Sequence, residues 1–240
     1  MAGETIRTEA VCLSIRPWSQ TSHVVSWLTP RGKVTTVVKG AERPKSLFLG
    51  QYDLNYTCDI LYYARAKGEL HALRESFPLK LREKLRNSYR ALALADYFHS
   101  LVGGLAPAGA ECADWLTALE RGLDACEGLA KGAETVSPVV LLVRFELEVL
   151  RLSGLSPDFT GYDGNAEWSA FGVESGAYGD SASGRIVRVE TEVARFLENP
   201  CRDCKNPKIP LDAARVIGVF YTFHLDCASD VRRSVLRMIS

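Results

Sequence analysis

The stretch RGKVTTVVKGAERPKS, Arg31 to Ser46, changes character twice within sixteen residues. Pro30, Arg31 and Gly32 supply turn chemistry, and Val34 to Val38 is β-branched throughout, which suits a pleated, half-buried surface. The apolar run then stops. Lys39-Gly40-Ala41-Glu42-Arg43-Pro44-Lys45-Ser46 reads as a loop shaped by one Gly and one Pro. Between Arg31 and Lys45 five cations (Arg31, Lys33, Lys39, Arg43, Lys45) face a single anion, Glu42, in a chain whose 29 Lys and Arg balance 29 Asp and Glu. A local surplus of this kind is a footprint for polyanions.

Strand signals lie on both sides of this stretch. Residues 5–15 (TIRTEAVCLSI) and 22–29 (SHVVSWLT) predict two strands around a bend at Arg16-Pro17-Trp18-Ser19-Gln20. Residues 51–66 (QYDLNYTCDILYYARA) alternate apolar and polar side chains, Lys67-Gly68 turns the chain, and Glu69 to Glu75 completes the set. Five strands in about eighty residues with no helix between them suit a small closed barrel better than a sandwich, and the OB-fold is the commonest such barrel that binds nucleic acid.

After Pro78 the period becomes helical, through Leu79, Leu81, Leu85, Tyr89, Leu92, Ala93, Tyr97 and Leu101, with a stop at Gly103-Gly104. A second helix is predicted over residues 111–129. The third is the best signalled: Ser137 caps it, Pro138 opens it and Gly154 closes it. Within it Arg144 is expected to pair with Glu148 four residues on. Residues 156–185 shift to Gly, Ser, Asp and Ala around a short Phe171–Glu174 segment, and helices over 211–227 and 229–239 finish the chain. The prediction is an α+β chain: an amino-terminal barrel domain at 1–78, then a helical domain at 79–240 with an irregular insert at about 156–190.

Composition excludes several classes. The apolar run Val139 to Val143 is far too short to span a bilayer, and Glu4 and Glu9 interrupt the region where a signal peptide needs unbroken apolar residues. Seven scattered cysteines, an odd number, make no disulfide framework and fit a reducing compartment, so a cytoplasmic, nucleoid-associated location is expected. There is no Gly-rich phosphate loop, no His-x-x-x-His, no Ser-x-x-Lys, and no His beside a carboxylate at catalytic spacing, so catalysis is not expected. Cys201-Arg202-Asp203-Cys204 would need two more ligands to hold zinc, and none of the four histidines is near it in sequence.

Charge is unevenly placed: residues 1–80 carry eleven Lys and Arg against seven Asp and Glu, a positive excess absent from the rest. The candidate DNA-binding residues are therefore Arg16, Arg31, Lys33, Lys39, Arg43 and Lys45, with Trp18 as a face on which a base stacks. Tyr52, Tyr56, Tyr62 and Tyr63 are further stacking candidates, but they read first as barrel core, because strands bury alternating aromatics. A second basic cluster, Lys80, Arg82, Lys84, Arg86 and Arg90 against Glu83, reads either as a solvated helix face or as an extension of the polyanion surface.

Two stretches carry a family resemblance. RPWSQTS at Arg16 to Ser22, followed by Gly32-Lys33 and KGAERPKS, is similar to the strand-bend-strand and basic loop of the RecO family of bacterial recombination mediators. RFELEVLRLSGLSPDF, Arg144 to Phe159, resembles that family's arginine-led helix and apolar-Pro step. The resemblance implies an OB-fold, a helical domain and, in many members, a four-cysteine zinc module. It also implies binding of single- and double-stranded DNA, annealing of complementary strands, and action with RecR to load RecA on DNA coated by single-strand binding protein. No catalysis is implied. Here Gly161-Tyr162-Asp163-Gly164 and the region of Gly176 to Gly179 stand where the cysteine pairs would fall, so no zinc or other cofactor is expected and Trp168, Phe171 and Tyr178 must pack the insert instead. The alternative is a protein-docking adaptor with weak DNA affinity, in which Arg82, Arg86 and Arg121, with Lys84 nearby, serve the acidic, apolar tail of single-strand binding protein.

Overall fold

A computed structural model describes residues 4–65, 70–132, 136–161, 166–182, 184–200, 204, 206–225 and 229–240. The expected Lys67-Gly68 turn, residues 162–164 and Cys201-Arg202-Asp203 lie outside the described residues. By internal contacts the chain forms two compact units, one from residues 1–87 and 98–127, the other from 88–97 and 128–240. The first unit thus takes in more chain than the predicted domain ending at residue 78.

The first unit holds five strands: β1 (Glu4–Ser19), β2 (Ser22–Thr29), β3 (Gly32–Val38), β4 (Thr57–Ala64) and β5 (Leu70–Lys80). Their ladders run β1-β2-β3-β5-β4 and close as β4 pairs back to β1, with β3 and β5 the only parallel pair among them. Inside sit Ala10, Cys12, Val25, Trp27, Ile60, Tyr62 and Leu73, and the buried Trp27 indole donates to Thr36 Oγ1 at 2.9 Å.

Three boundaries differ from expectation, each for a backbone reason. Of the bend predicted over Arg16 to Gln20, residues 16–19 continue β1, whose register shift between Pro17 and Ser19 absorbs a proline that cannot donate to the ladder. Residues 51–56 are turns rather than strand, with Asn55 at φ 68°, so β4 starts at Thr57. β5 runs on through Pro78, placed beside a register shift at Thr57/Cys58, and Arg82 at φ 47° then breaks the chain. The first long helix, α1 (Tyr89–Leu105), accordingly begins ten residues later than Leu79 and carries Gly103 and Gly104 in its interior. Helix α2 (Ala113–Ala130) buries Trp115, Leu116, Leu119 and Leu123.

In the second unit, α3 (Pro138–Leu152) has the predicted cap: Ser137 accepts from the Val140 amide. Its charges are arranged otherwise than expected. Arg144 Nε donates to the Pro200 carbonyl at 2.9 Å, whereas Glu148 pairs with Arg151 at 2.8 Å. Between them in sequence, Glu146 is fully buried. Arg232, from α6 (Ser229–Ile239), meets its carboxylate with Nε at 2.6 Å and Nη2 at 2.9 Å, and the Tyr97 hydroxyl donates to it at 2.6 Å.

The insert is more regular than its composition suggested. β6 (Trp168–Gly172), β7 (Ala177–Tyr178) and β8 (Ile186–Glu190) form a sheet in the order β7-β6-β8, followed by α4 (Thr191–Glu198), which sequence reading missed, and α5 (Lys208–His224). Phe159 stacks on Phe171 with centroids 4.9 Å apart, and Phe171 packs against Phe220 at 5.9 Å. Phe171 and Tyr178 are buried as expected. Trp168 stays 45% exposed, with the Arg188 guanidinium 4.3 Å above its ring.

Candidate nucleic-acid interface

The seven barrel residues singled out for DNA separate into two groups. Arg31 and Lys33 flank the first residue of β3 and Lys39 stands just past its end, so the strand's seven residues hold the groups about 20 Å apart. At the first end Arg31 is exposed, but Lys33 Nζ donates to the Gly103 carbonyl at 3.1 Å and is half-buried. This end is clasped by the Cys112 amide, which donates to the Pro30 carbonyl at 2.7 Å.

At the other end the remaining candidates converge. Pro17 lies opposite His23 and His23 opposite Val38, so Trp18 and Lys39 each stand one residue past the same row of the sheet. The turn joining β1 to β2 is tied to the basic loop: the Glu42 amide donates to the Thr21 carbonyl, and the Gly40 amide to Ser22 Oγ, both at 3.2 Å. Arg16, Trp18, Lys39, Arg43 and Lys45 are all exposed, Trp18 by 62%.

The loop is braced rather than slack. Ala41 and Tyr52 are buried in the barrel core and Phe48 packs against it, which turns the cationic residues outward. Gly40 adopts φ 65°, and a Cβ there would meet Arg43 Cδ at 3.1 Å, so the glycine lets the arginine lie across the turn. The carboxylate that lies among these cations is engaged elsewhere: Glu42 Oε1 is 2.8 Å from His23 Nε2, whose Nδ1 is 2.8 Å from the Tyr52 hydroxyl. Lys39, Arg43 and Lys45 consequently have no ion pair among the described residues.

Of the four tyrosines, Tyr52 and Tyr62 are buried, Tyr56 packs on the core and Tyr63 is half-buried, in keeping with a core reading. Tyr52 is pushed well up by burial first and by neighbouring Cys12, Glu42 and Asp53 next, so it stays protonated.

The second basic cluster is largely structural. Arg82 is a correction: its side chain is buried, with Nε 2.6 Å from Asp124 and Nη1 donating to the Asn55 carbonyl at 2.8 Å, so it presents no cation to a tail. Lys80 faces Asp124 and Glu120 at 3.3 and 3.5 Å, and Arg86 pairs with Asp53 at 2.5 Å. Lys84 and Arg121 are exposed without an ion pair among the described residues.

Sequence reading missed two residues here. Leu47 and Leu49, 89% and 66% exposed, flank the anchored Phe48 directly after the cations. A lone exposed leucine is ordinary, but two on one braced turn leave roughly 1.5–3 kcal/mol of burial each unrealised. The available signal was the apolar triplet Leu47-Phe48-Leu49 inside an otherwise polar loop.

A closed five-stranded barrel with this strand order, bearing a cationic loop and followed by helices, defines an OB-fold protein with an appended helical domain. Comparison with known families supplies the rest. Residues 1–82 match the family described as Recombination protein O N terminal. The chain is 26% identical, over 92% of its length and 94% of the relative's, to the DNA repair protein RecO of Alkaliphilus metalliredigens. It is 27% identical to the DNA repair protein RecO of Roseiflexus sp., over 65% of this chain and 53% of that one. The DNA repair protein RecO of Salinibacter ruber is 31% identical over 48% of this chain and 46% of its own. The RecO resemblance read from the motifs is thereby borne out.

Proposed function

We propose that this protein is a non-catalytic mediator of DNA repair and recombination that binds single- and double-stranded DNA through the loop after β3. It anneals complementary strands and acts with RecR to load RecA on DNA coated by single-strand binding protein. The observation that carries this reading is the braced loop: three exposed cations with no ion pair among the described residues, beside the exposed Trp18. Lysine and arginine there neutralise phosphates and release counterions, an interaction indifferent to base sequence, as annealing requires. Trp18 adds a stacking face that any base can use. The scheme assigns no role to a metal; Phe159 and Phe171 stack in the insert and Phe171 packs against Phe220 of α5. Among the described residues no helix is long and apolar enough to cross a membrane.

A docking role is favoured by two grooves in the second unit. One, of about 430 Å³, lies between α1 and α6 and is lined by Leu92, Val231, Val235 and Met238, but its charged members are Asp96 and Asp230, which repel an acidic tail. The other, of about 390 Å³, runs along β8 and α5, where Val187, Val216 and Val219 are accompanied by Arg188, Lys208 and Arg215 and by Glu190 and Asp212, the last paired with both Lys208 and Arg215. In the second groove Arg188 has no ion pair among the described residues, which suits the acidic, apolar tail of single-strand binding protein better than the paired Arg82 and Arg86 do.

Fluorescence anisotropy of labelled single-stranded DNA tests the main reading. Three phosphate contacts contribute a log-log salt slope of about 2, equivalent to a roughly 20-fold loss of affinity between 50 and 200 mM salt. The Lys39→Glu/Arg43→Glu/Lys45→Glu variant is expected to bind weakly with a flatter slope. Absence of wild-type binding at 50 mM salt would refute the DNA role.

A further inference from the structure

Two leucines on the loop after β3 stay exposed among the described residues. Phe48 is turned inward against the barrel core, while Leu47 and Leu49 on either side are 89% and 66% exposed. Their positions are set by a run of linked turns: the Ser46 amide donates to the Arg43 carbonyl at 2.9 Å, Leu49 to Ser46 at 3.4 Å, and Gln51 to Phe48 at 3.1 Å. The Phe48 amide also donates to Ser46 Oγ at 3.2 Å. Two apolar side chains are thus presented at defined places on a braced surface.

Charge says what they face. Lys39, Arg43 and Lys45 precede them on the same loop, and of its two acids Glu42 is engaged by His23 and Asp53 by Arg86. An apolar surface beside unpaired cations complements a partner that is anionic outside and apolar inside, which describes a nucleic acid with its phosphates and base stack. Branched aliphatic side chains are poor stacking platforms but effective wedges between base steps.

Resting on the DNA-binding reading above, we propose that Leu47 and Leu49 form a wedge that inserts at the junction of duplex and single-stranded DNA and unstacks the terminal base pair, while Lys39, Arg43 and Lys45 hold the flanking phosphates. Trp18, one residue past the sheet row that ends at Val38, stands at the same end of the barrel and is placed to receive a displaced base.

The test uses forked DNA with 2-aminopurine at the junction pair and a distant anisotropy label, so that binding and unstacking are read separately. Wild type is expected to raise 2-aminopurine fluorescence on binding. The Leu47→Ser/Leu49→Ser variant, compared at equal occupancy, is expected to lose at least about half of that rise, with Kd changed less than about three-fold and the salt slope unchanged, because the phosphate contacts remain. Both substitutions fall on exposed side chains, and an unchanged Tm confirms that the variant folds. Wild type that binds without a fluorescence rise, or a variant that unstacks as well as wild type, overturns the wedge while leaving the DNA-binding reading intact. Absence of any wild-type anisotropy change overturns both.

Discussion

Replacing Glu146 by Ala removes one half of a buried ion pair at the centre of the second unit. The carboxylate accepts two hydrogen bonds from Arg232 and one from Tyr97, and its backbone carbonyl accepts from the Tyr221 hydroxyl at 3.0 Å. Burial alone would lower the Arg232 pKa, but the charge and hydrogen bonds of Glu146 outweigh it and hold the guanidinium charged. Without Glu146, Arg232 keeps the Ala214 carbonyl at 2.6 Å as its hydrogen-bond partner and remains a buried, uncompensated cation. Breaking such a pair costs about 3–5 kcal/mol, which lowers the Tm of a unit this size by roughly 6–20 °C. The assay is thermal and urea unfolding followed by circular dichroism, with two transitions allowed because the chain has two units. A Glu146→Met/Arg232→Met double variant should recover most of the loss, since apolar replacement of a whole buried pair is often neutral. A single variant that loses less than about 1 kcal/mol, or a double variant no better than the single, would refute the reasoning.

Two further predictions concern the first unit. His99 is buried, its Nε2 2.9 Å from Asn55 Oδ1, and burial first and the Arg82 charge second lower its pKa from 6.5 to about 4. The unfolded chain therefore binds more protons between those values, so stability is complete above pH 6.5 and falls by up to about 3 kcal/mol as pH drops to 4. His99→Gln should flatten an acid-unfolding curve in that window, and a curve of unchanged steepness would count against the assignment. Gly32 sits at φ 117° with the Ala110 carbonyl 3.0 Å from where a Cβ would be, so Gly32→Ala should cost roughly 1–3 kcal/mol. Gly103→Ala, in open space inside α1, should instead stabilise by up to about 1 kcal/mol, and thermal shifts of the same sign for both would contradict the geometry.

The elements that could be read from sequence are those set by local chemistry. β2 and β3 announce themselves by β-branched runs and a Pro-Arg-Gly turn, and α3 by its Ser137 cap and Pro138 start. What misled was punctuation whose meaning depends on a partner strand. Pro17 and Pro78 look like breaks but lie within β1 and β5 beside register shifts that exempt them from the ladder. In the insert, the short β8 and α4 follow a Gly- and Ser-rich stretch and draw their order from the pairing of β8 with β6 and from the packing of α4 on α5.

The candidate site divides in the same way. That Lys39, Arg43 and Lys45 form a cationic loop was determined by the sequence, because adjacent charges on a Gly- and Pro-shaped turn have nowhere else to go. Tertiary structure alone decided that Arg31 and Lys33 belong to the opposite end of β3, that Arg82 is buried against Asp124, and that Leu47 and Leu49 point outward around Phe48. Composition records which charges a chain carries. Which of them are neutralised depends on closure of the chain over long separations, 42 residues from Arg82 to Asp124 and 86 from Glu146 to Arg232, and no local pattern encodes those meetings.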